Sequence, residues 1–219
     1  MTNGTTPALR QYAAALRTFL VLTVILGVGY PLVLTGIAKV VFPGNAEGSL
    51  VQVDGKTVGS DLIGQAFTRP VLTAGEPLTD PDGNPVVEPD PGYFQSRPSA
   101  AGAGYDPLST SASNLGPENA ELIAAVKERR ATIAQLDGVP PSQVAPDALL
   151  ASGSGLDPHI SPAYARQQIA RVARERGLSE SQVRALVTVH TQHRVLGFLG
   201  EPRVNVLELN LALDAATRG

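Results

Sequence analysis

The run Ser152-Gly153-Ser154-Gly155 has a composition suited to phosphate chemistry, since its glycines let backbone N–H groups turn toward an anion ahead of a helix start. It lacks the Gly-Lys-Ser/Thr that makes a phosphate loop specific, so as a bare motif it reads first as a glycine-permitted turn before a capped helix. His190 and His193 stand three apart on one expected helix, a spacing at which two imidazoles can share a metal. No acidic residue lies close to them and His159 is remote in sequence, so they read as solvated or capping residues and no metal is assigned. Arg166, Arg171, Arg174 and Arg176 share a segment with Ile169 and Val172 and read as a solvated basic face. Asp157 and Glu201, each next to a proline, read as structural. Serines are plentiful, yet neither G-x-S-x-G nor S-x-x-K occurs, and no catalytic residue is assigned.

Composition narrows the classes further. The 219 residues contain no cysteine, which removes disulfides, thiolate zinc sites, iron–sulfur clusters and cysteine nucleophiles together. A net charge of −3 without any clustered Lys and Arg excludes nucleic acid as a partner. Charged residues make up 17%, against roughly 25% in an average soluble domain, while 22 glycines and 18 prolines are an excess of chain breakers. Few charges with many breakers fit a membrane segment joined to a turn-rich domain.

The elements that would carry these residues can be read along the chain. Arg17 and Lys39 enclose 21 uncharged residues. At about 1.5 Å per residue they reach roughly 31 Å, the thickness of a bilayer core. The run is too long for the core of a cleaved signal peptide and is expected to be an uncleaved anchor, kinked at Pro31. Thr23, Gly27, Pro31 and Thr35 follow at i, i+4 steps, with Tyr30 alongside, and form a small-residue stripe that could pack on a partner helix in lipid. Arg10 and Arg17 precede the span without an acid, while the far flank mixes both signs. This bias puts the N-terminus in the cytoplasm.

Beyond the span, Ser49–Val53 and Lys56–Val58 flank Asp54-Gly55 and predict a hairpin. Residues 70–92 hold six prolines and five acids with no Lys or Arg, and predict an exposed, mobile loop whose acids could attract cations. Residues 93–116 show no period and are expected to be irregular. Helices are expected from Pro117 to about Leu136, with Leu122, Ile123, Val126 and Ile133 facing the core, from Pro162 to Gly177 behind a Ser161 cap, and from a Ser179/Gln182 capping box to about His193. A strand over Val204–Leu207 and a closing helix over Leu209–Ala216 complete an α+β pattern. The organisation expected is a short cytoplasmic N-terminus (1–17), a transmembrane helix (18–41) and a mixed α/β extracytoplasmic domain (42–219).

Several stretches taken in order are specific. They are Gly29-Tyr-Pro-Leu32, Ala46-Glu-Gly-Ser-Leu50, Gly59-Ser-Asp-Leu-Ile-Gly-Gln65, Tyr93-Phe-Gln-Ser-Arg-Pro-Ser99, Ser113-Asn-Leu115, Ala151 to Pro158, Ile160-Ser-Pro162, Arg171-Val-Ala173 and Val204 to Asn210. Over residues 19 to 214 the chain resembles the C subunit of the Kdp-type potassium-transporting P-type ATPase, although its acidic 70–92 segment looks longer than that family's usual link. The resemblance implies a non-catalytic accessory subunit in the cell membrane. Its partners would be a channel-like potassium-binding subunit, an ATP-hydrolysing P-type subunit and the lipid bilayer, and its role would be assembly and stability of the complex. It also implies an alternative, a catalytic chaperone that raises the ATP affinity of the pump. For that role Ser152, Gly153, Ser154, Gly155 and Gln168 are the candidate nucleotide contacts, ATP being a transient ligand rather than a firmly bound cofactor. Cytoplasmic ATP cannot reach an extracytoplasmic domain, so assembly is preferred. The remaining rival is a membrane-anchored extracytoplasmic hydrolase.

Overall fold

The computed structural model describes residues 6–73 and 75–218. It separates into two units, Met1–Leu50 and Val51–Gly219. In the first, one helical run covers Pro7–Val41 and is, among the described residues, the helix long and apolar enough to cross a membrane, with a mean hydropathy of 2.2 over its most apolar 18 residues. It comprises α1 (Pro7–Val24), a wide turn at Ile25–Gly29 and α2 (Tyr30–Val41). Pro31 explains the wide turn. Proline has no N–H for the Gly27 carbonyl and its ring crowds that turn, so the backbone opens until the Tyr30 N–H bonds five residues back to Ile25. Thr23 turns its hydroxyl inward to the Phe19 carbonyl at 2.8 Å, satisfying its donor within the helix. The helix starts at Pro7, so Arg10 and Arg17 lie on it. A single turn, α3 (Pro43–Ala46), follows.

The boundary falls after the first residue of β1 (Leu50–Val53), which is joined to β2 (Lys56–Ser60) through Asp54 and Gly55 at φ 51° and 75° as a tight two-residue turn requires. Segment 70–92, expected to be a mobile loop, is exposed but built as a β finger. Its strands β3 (Thr68–Pro70) and β6 (Val87–Pro89) pair antiparallel, and β4 (Leu72–Thr73) pairs with β5 (Glu76–Pro77). The residues between its prolines supply the donors that proline lacks: Val71 N–H bonds the Val86 carbonyl at 2.9 Å and Val86 N–H bonds that of Leu78 at 2.8 Å. At the tip, the main-chain and side-chain amides of Asn84 bond the Asp80 carboxylate and hold its pKa below the usual range.

The core surrounds a three-stranded antiparallel sheet in the order β7 (His159–Ile160), β9 (Arg203–Asn205), β8 (Thr191–Gln192). Against its central strand pack α5 (Pro162–Arg176) and α7 (Val206–Arg218), while α6 (Glu180–Val189) packs on both of these helices and α4 (Ala120–Asp137) packs on α5. Ser161 caps α5, Gly177 at φ 65° closes it, and the Ser179/Gln182 capping box forms as the spacing predicts. Four expectations shift. The strand expected over Val204–Leu207 ends at Asn205, and the closing helix takes over at Val206. Asn119 caps α4, its side-chain oxygen accepting from Glu121 and Leu122, so Pro117 lies outside the helix. Ile123 is 41% exposed rather than core-facing. Helix α6 stops at Val189 because the Thr191–Gln192 strand draws the chain away.

Candidate functional site

Tyr93–Ser99 forms no helix or strand, yet Phe94 is wholly buried. Polar side chains replace a neighbouring strand. Asn210 on α7 accepts from the Phe94 N–H at 2.9 Å and donates to its carbonyl at 3.0 Å. Gln168 on α5 does the same for Gln95, at 2.7 and 3.1 Å. Arg171, also fully buried, donates to the Pro91 and Tyr93 carbonyls, to Gln168 and to Asp137 at 2.8 Å. Asp137 in turn accepts from Gln167 at 2.6 Å. A buried charge is tolerable only when paired and hydrogen-bonded, and this one has both.

This corrects the basic-face reading of α5. Arg171 is the centre of the clamp, and Arg176 stacks 4.1 Å over the Tyr93 ring while pairing with Asp214 at 2.9 Å. Arg174 remains exposed. The sequence offered one signal for this: Arg171 follows Tyr164 by seven residues and Gln168 by three, a spacing that puts all three on one face of α5.

The Ser152–Gly155 run lies well ahead of α5, with β7 between them. Its carbonyls are occupied by the irregular segment: Ser99 donates its hydroxyl to Gly155 at 2.6 Å, and Thr110 and Ser111 donate to Ser154 at 2.7 and 3.1 Å. Gly155 adopts φ 71°, and a Cβ there would stand 2.7 Å from the Ala101 nitrogen and the Ser111 oxygen. A Cβ on Gly153 would meet nothing within 4 Å. Gln168, the other nucleotide candidate, is buried with its amide spent on Gln95 and Arg171. The structure does not bring the two together through a shared hydrogen-bond partner among the described residues.

A polar cleft of about 440 Å3 opens between Arg97, Asp147, Asp157, His159, Ser161, Glu201 and Arg203. Burial pushes the Asp157 carboxyl up, but hydrogen bonds from the His159 ring and N–H, with the charge of Arg97, outweigh burial and hold it below its ordinary range. Ser161 donates its hydroxyl to Asp147 at 2.9 Å and caps Tyr164 at 3.0 Å, while His159 turns its Nδ1 to Asp157 at 3.0 Å. These serine and histidine side chains are thus held by different carboxylates. Tyr105 packs close by, and burial pushes its phenol up to about 12. His190 caps α6 with its ring on the Leu186 carbonyl. Among the described residues no group of three or more His, Asp or Glu side chains could hold a metal.

On the membrane helix, Thr23, Gly27, Tyr30, Pro31 and Thr35 are all exposed. A Cβ on Gly27 would meet only the Thr23 methyl, at 3.9 Å, so that position is open to a neighbour.

One apolar helix joined to a mixed α/β domain fits a membrane-anchored subunit. Comparison with known proteins makes this particular. Residues 12–215 match the family described as KdpC, the K+-transporting ATPase c chain. A potassium-transporting ATPase KdpC subunit of Kineococcus radiotolerans is 53% identical over 216 residues, covering 99% of both chains. Those of Streptomyces coelicolor (45% identical, 97% of this chain and 96% of the relative) and Koribacter versatilis (47%, 89% of each) are also similar. The chain belongs to the KdpC family.

Proposed function

We propose that this chain is a non-catalytic accessory subunit of an ATP-driven potassium uptake complex, anchored in the cell membrane by Pro7–Val41 with its N-terminus cytoplasmic and its domain outside. In that role it stabilises the assembly of a channel-like potassium-binding subunit with a P-type ATP-hydrolysing subunit. The observation that carries the reading is family membership along residues 12–215, taking in both the helix and the domain. The entirely exposed helix supports it, because a span without internal partners is completed by lipid or by other subunits. The Ser154 and Gly155 carbonyls, which accept from Ser99, Thr110 and Ser111, give that run a bracing role between loops.

The stripe of Thr23, Gly27, Pro31 and Thr35, with Tyr30 beside it, is the proposed contact with a partner helix. Gly27→Leu adds bulk at a position where a Cβ meets only the Thr23 methyl, at 3.9 Å. The variant is expected to copurify poorly with the two larger subunits while the subunit itself keeps its thermal transition. A complex of normal stoichiometry would remove the stripe from the interface.

A further inference from the structure

Helix α4, the exposed segment that leads into it and the chain at Leu150 enclose a hollow of about 340 Å3. Its walls are largely apolar, formed by Leu115, Pro117, Leu122, Ala125 and Leu150. Arg129 is the one charged side chain of that lining among the described residues. It is half-buried and makes no ion pair among them. Glu128, next to it in sequence, lies outside the hollow. Arg129 donates Nη1 to the Leu149 carbonyl at 3.0 Å, which steadies the guanidinium and leaves Nε and Nη2 without a partner among the described residues. Those two nitrogens form an edge of the guanidinium that a carboxylate can meet with both oxygens. A cation with that edge unspent, set beside apolar walls, selects an anion that carries an apolar body.

The main chain at the rim is unspent as well. Ser111 N–H bonds the Ser154 carbonyl at 3.1 Å, but no N–H of residues 112–116 has a hydrogen-bond partner among the described residues. Ser113 and Leu115 of this stretch line the hollow. Its volume is at the small end of the roughly 300–1,000 Å3 of ligand sites and leaves room for about one residue.

We propose that the hollow receives the C-terminal residue of another protein chain. The terminal carboxylate sits on Nε and Nη2 of Arg129, and an aliphatic side chain lies among Leu115, Leu122 and Leu150. The peptide carbonyls take the N–H groups of residues 112–116. Charge complementarity names the carboxylate, the walls name the side chain, and the main-chain donors distinguish a peptide end from a free acid.

The test uses the full chain in lipid nanodiscs with 13C-labelled leucine methyls, titrated with N-acetyl-leucine as the probe. Saturable shifts are expected at Leu115, Leu122 and Leu150. N-acetyl-leucinamide, which lacks the carboxylate, and N-acetylglycine, which lacks the side chain, should each bind about tenfold more weakly. Arg129→Lys keeps the charge, loses the fork and should weaken the probe by a similar factor. Leu115→Glu places an anion in the hollow at a position 37% exposed, and should abolish the shifts while the thermal transition is kept. Equal binding of the amide, or full binding by Leu115→Glu, overturns the site. Binding of 4-methylpentanoate as tight as that of N-acetyl-leucine assigns the hollow to free aliphatic acids and also overturns the proposal.

Discussion

The membrane helix and the domain solve the problem of polar groups in opposite ways. Pro7–Val41 has no internal core: its side chains face outward and the Thr23 hydroxyl turns back on the Phe19 carbonyl. The domain hides charge instead, placing Arg171, Asp137, Gln168 and Asn210 inside the core to hold a segment with no regular structure. One region is finished by what surrounds it, while the other is finished by itself. Perturbing the helix should therefore change association, and perturbing the clamp should change folding.

The sharpest break of that contrast is Arg171→Ala. It leaves Asp137 as a buried, unpaired charge and should cost about 3–5 kcal/mol, read from urea unfolding of the full chain in detergent by circular dichroism. A smaller loss would mean that water replaces the guanidinium and that the domain is less closed than its burial implies.

Asn210→Ala comes next. It strips both main-chain partners from Phe94 and should destabilise the domain by about 2–3 kcal/mol, without affecting copurification at permissive temperature. Loss of the complex from a still-folded variant would place α7 at an interface.

Gly155→Ala forces a Cβ against the Ala101 nitrogen at φ 71° and is expected to cost about 2 kcal/mol. Gly153→Ala, whose Cβ faces open space, should leave stability unchanged. This pair sharpens the choice between strut and nucleotide loop: Gly153→Ala lowering the ATP affinity of the purified pump at unchanged stability would favour the nucleotide reading.

The smallest effect expected is that of Asp157. Its folded pKa lies below the ordinary 3.8, so the stability it contributes is fully present above that value and is lost as pH falls through the folded pKa. Asp157→Asn should flatten the acid limb of a plot of thermal midpoint against pH and leave the neutral region nearly unchanged. An unaltered acid limb would assign acid lability to other carboxylates.

The contrast also explains what could be read in advance. Local signals in the sequence were enough for the Asp54-Gly55 hairpin, the Ser161 cap with Gly177, and the Ser179/Gln182 box, because each depends on residues within a turn or two. Start positions were less legible where two cappers competed, as Pro117 and Asn119 did for α4. The finger at 70–92 was hidden because its prolines suppress a strand pattern while the residues between them still supply donors.

The sequence by itself determined the long apolar helix, the order of the elements and, through its spaced motifs, the family. Tertiary structure alone decided what those motifs do. Tyr93–Ser99 meets Gln168, Arg171 and Asn210 only after the chain has closed loops of 73 to 116 residues, and no local periodicity records such partners. An arginine on a helix looks the same in sequence whether it faces water or a buried aspartate. Only the packing of α4 against α5, which sets Asp137 2.8 Å from Arg171, makes that choice.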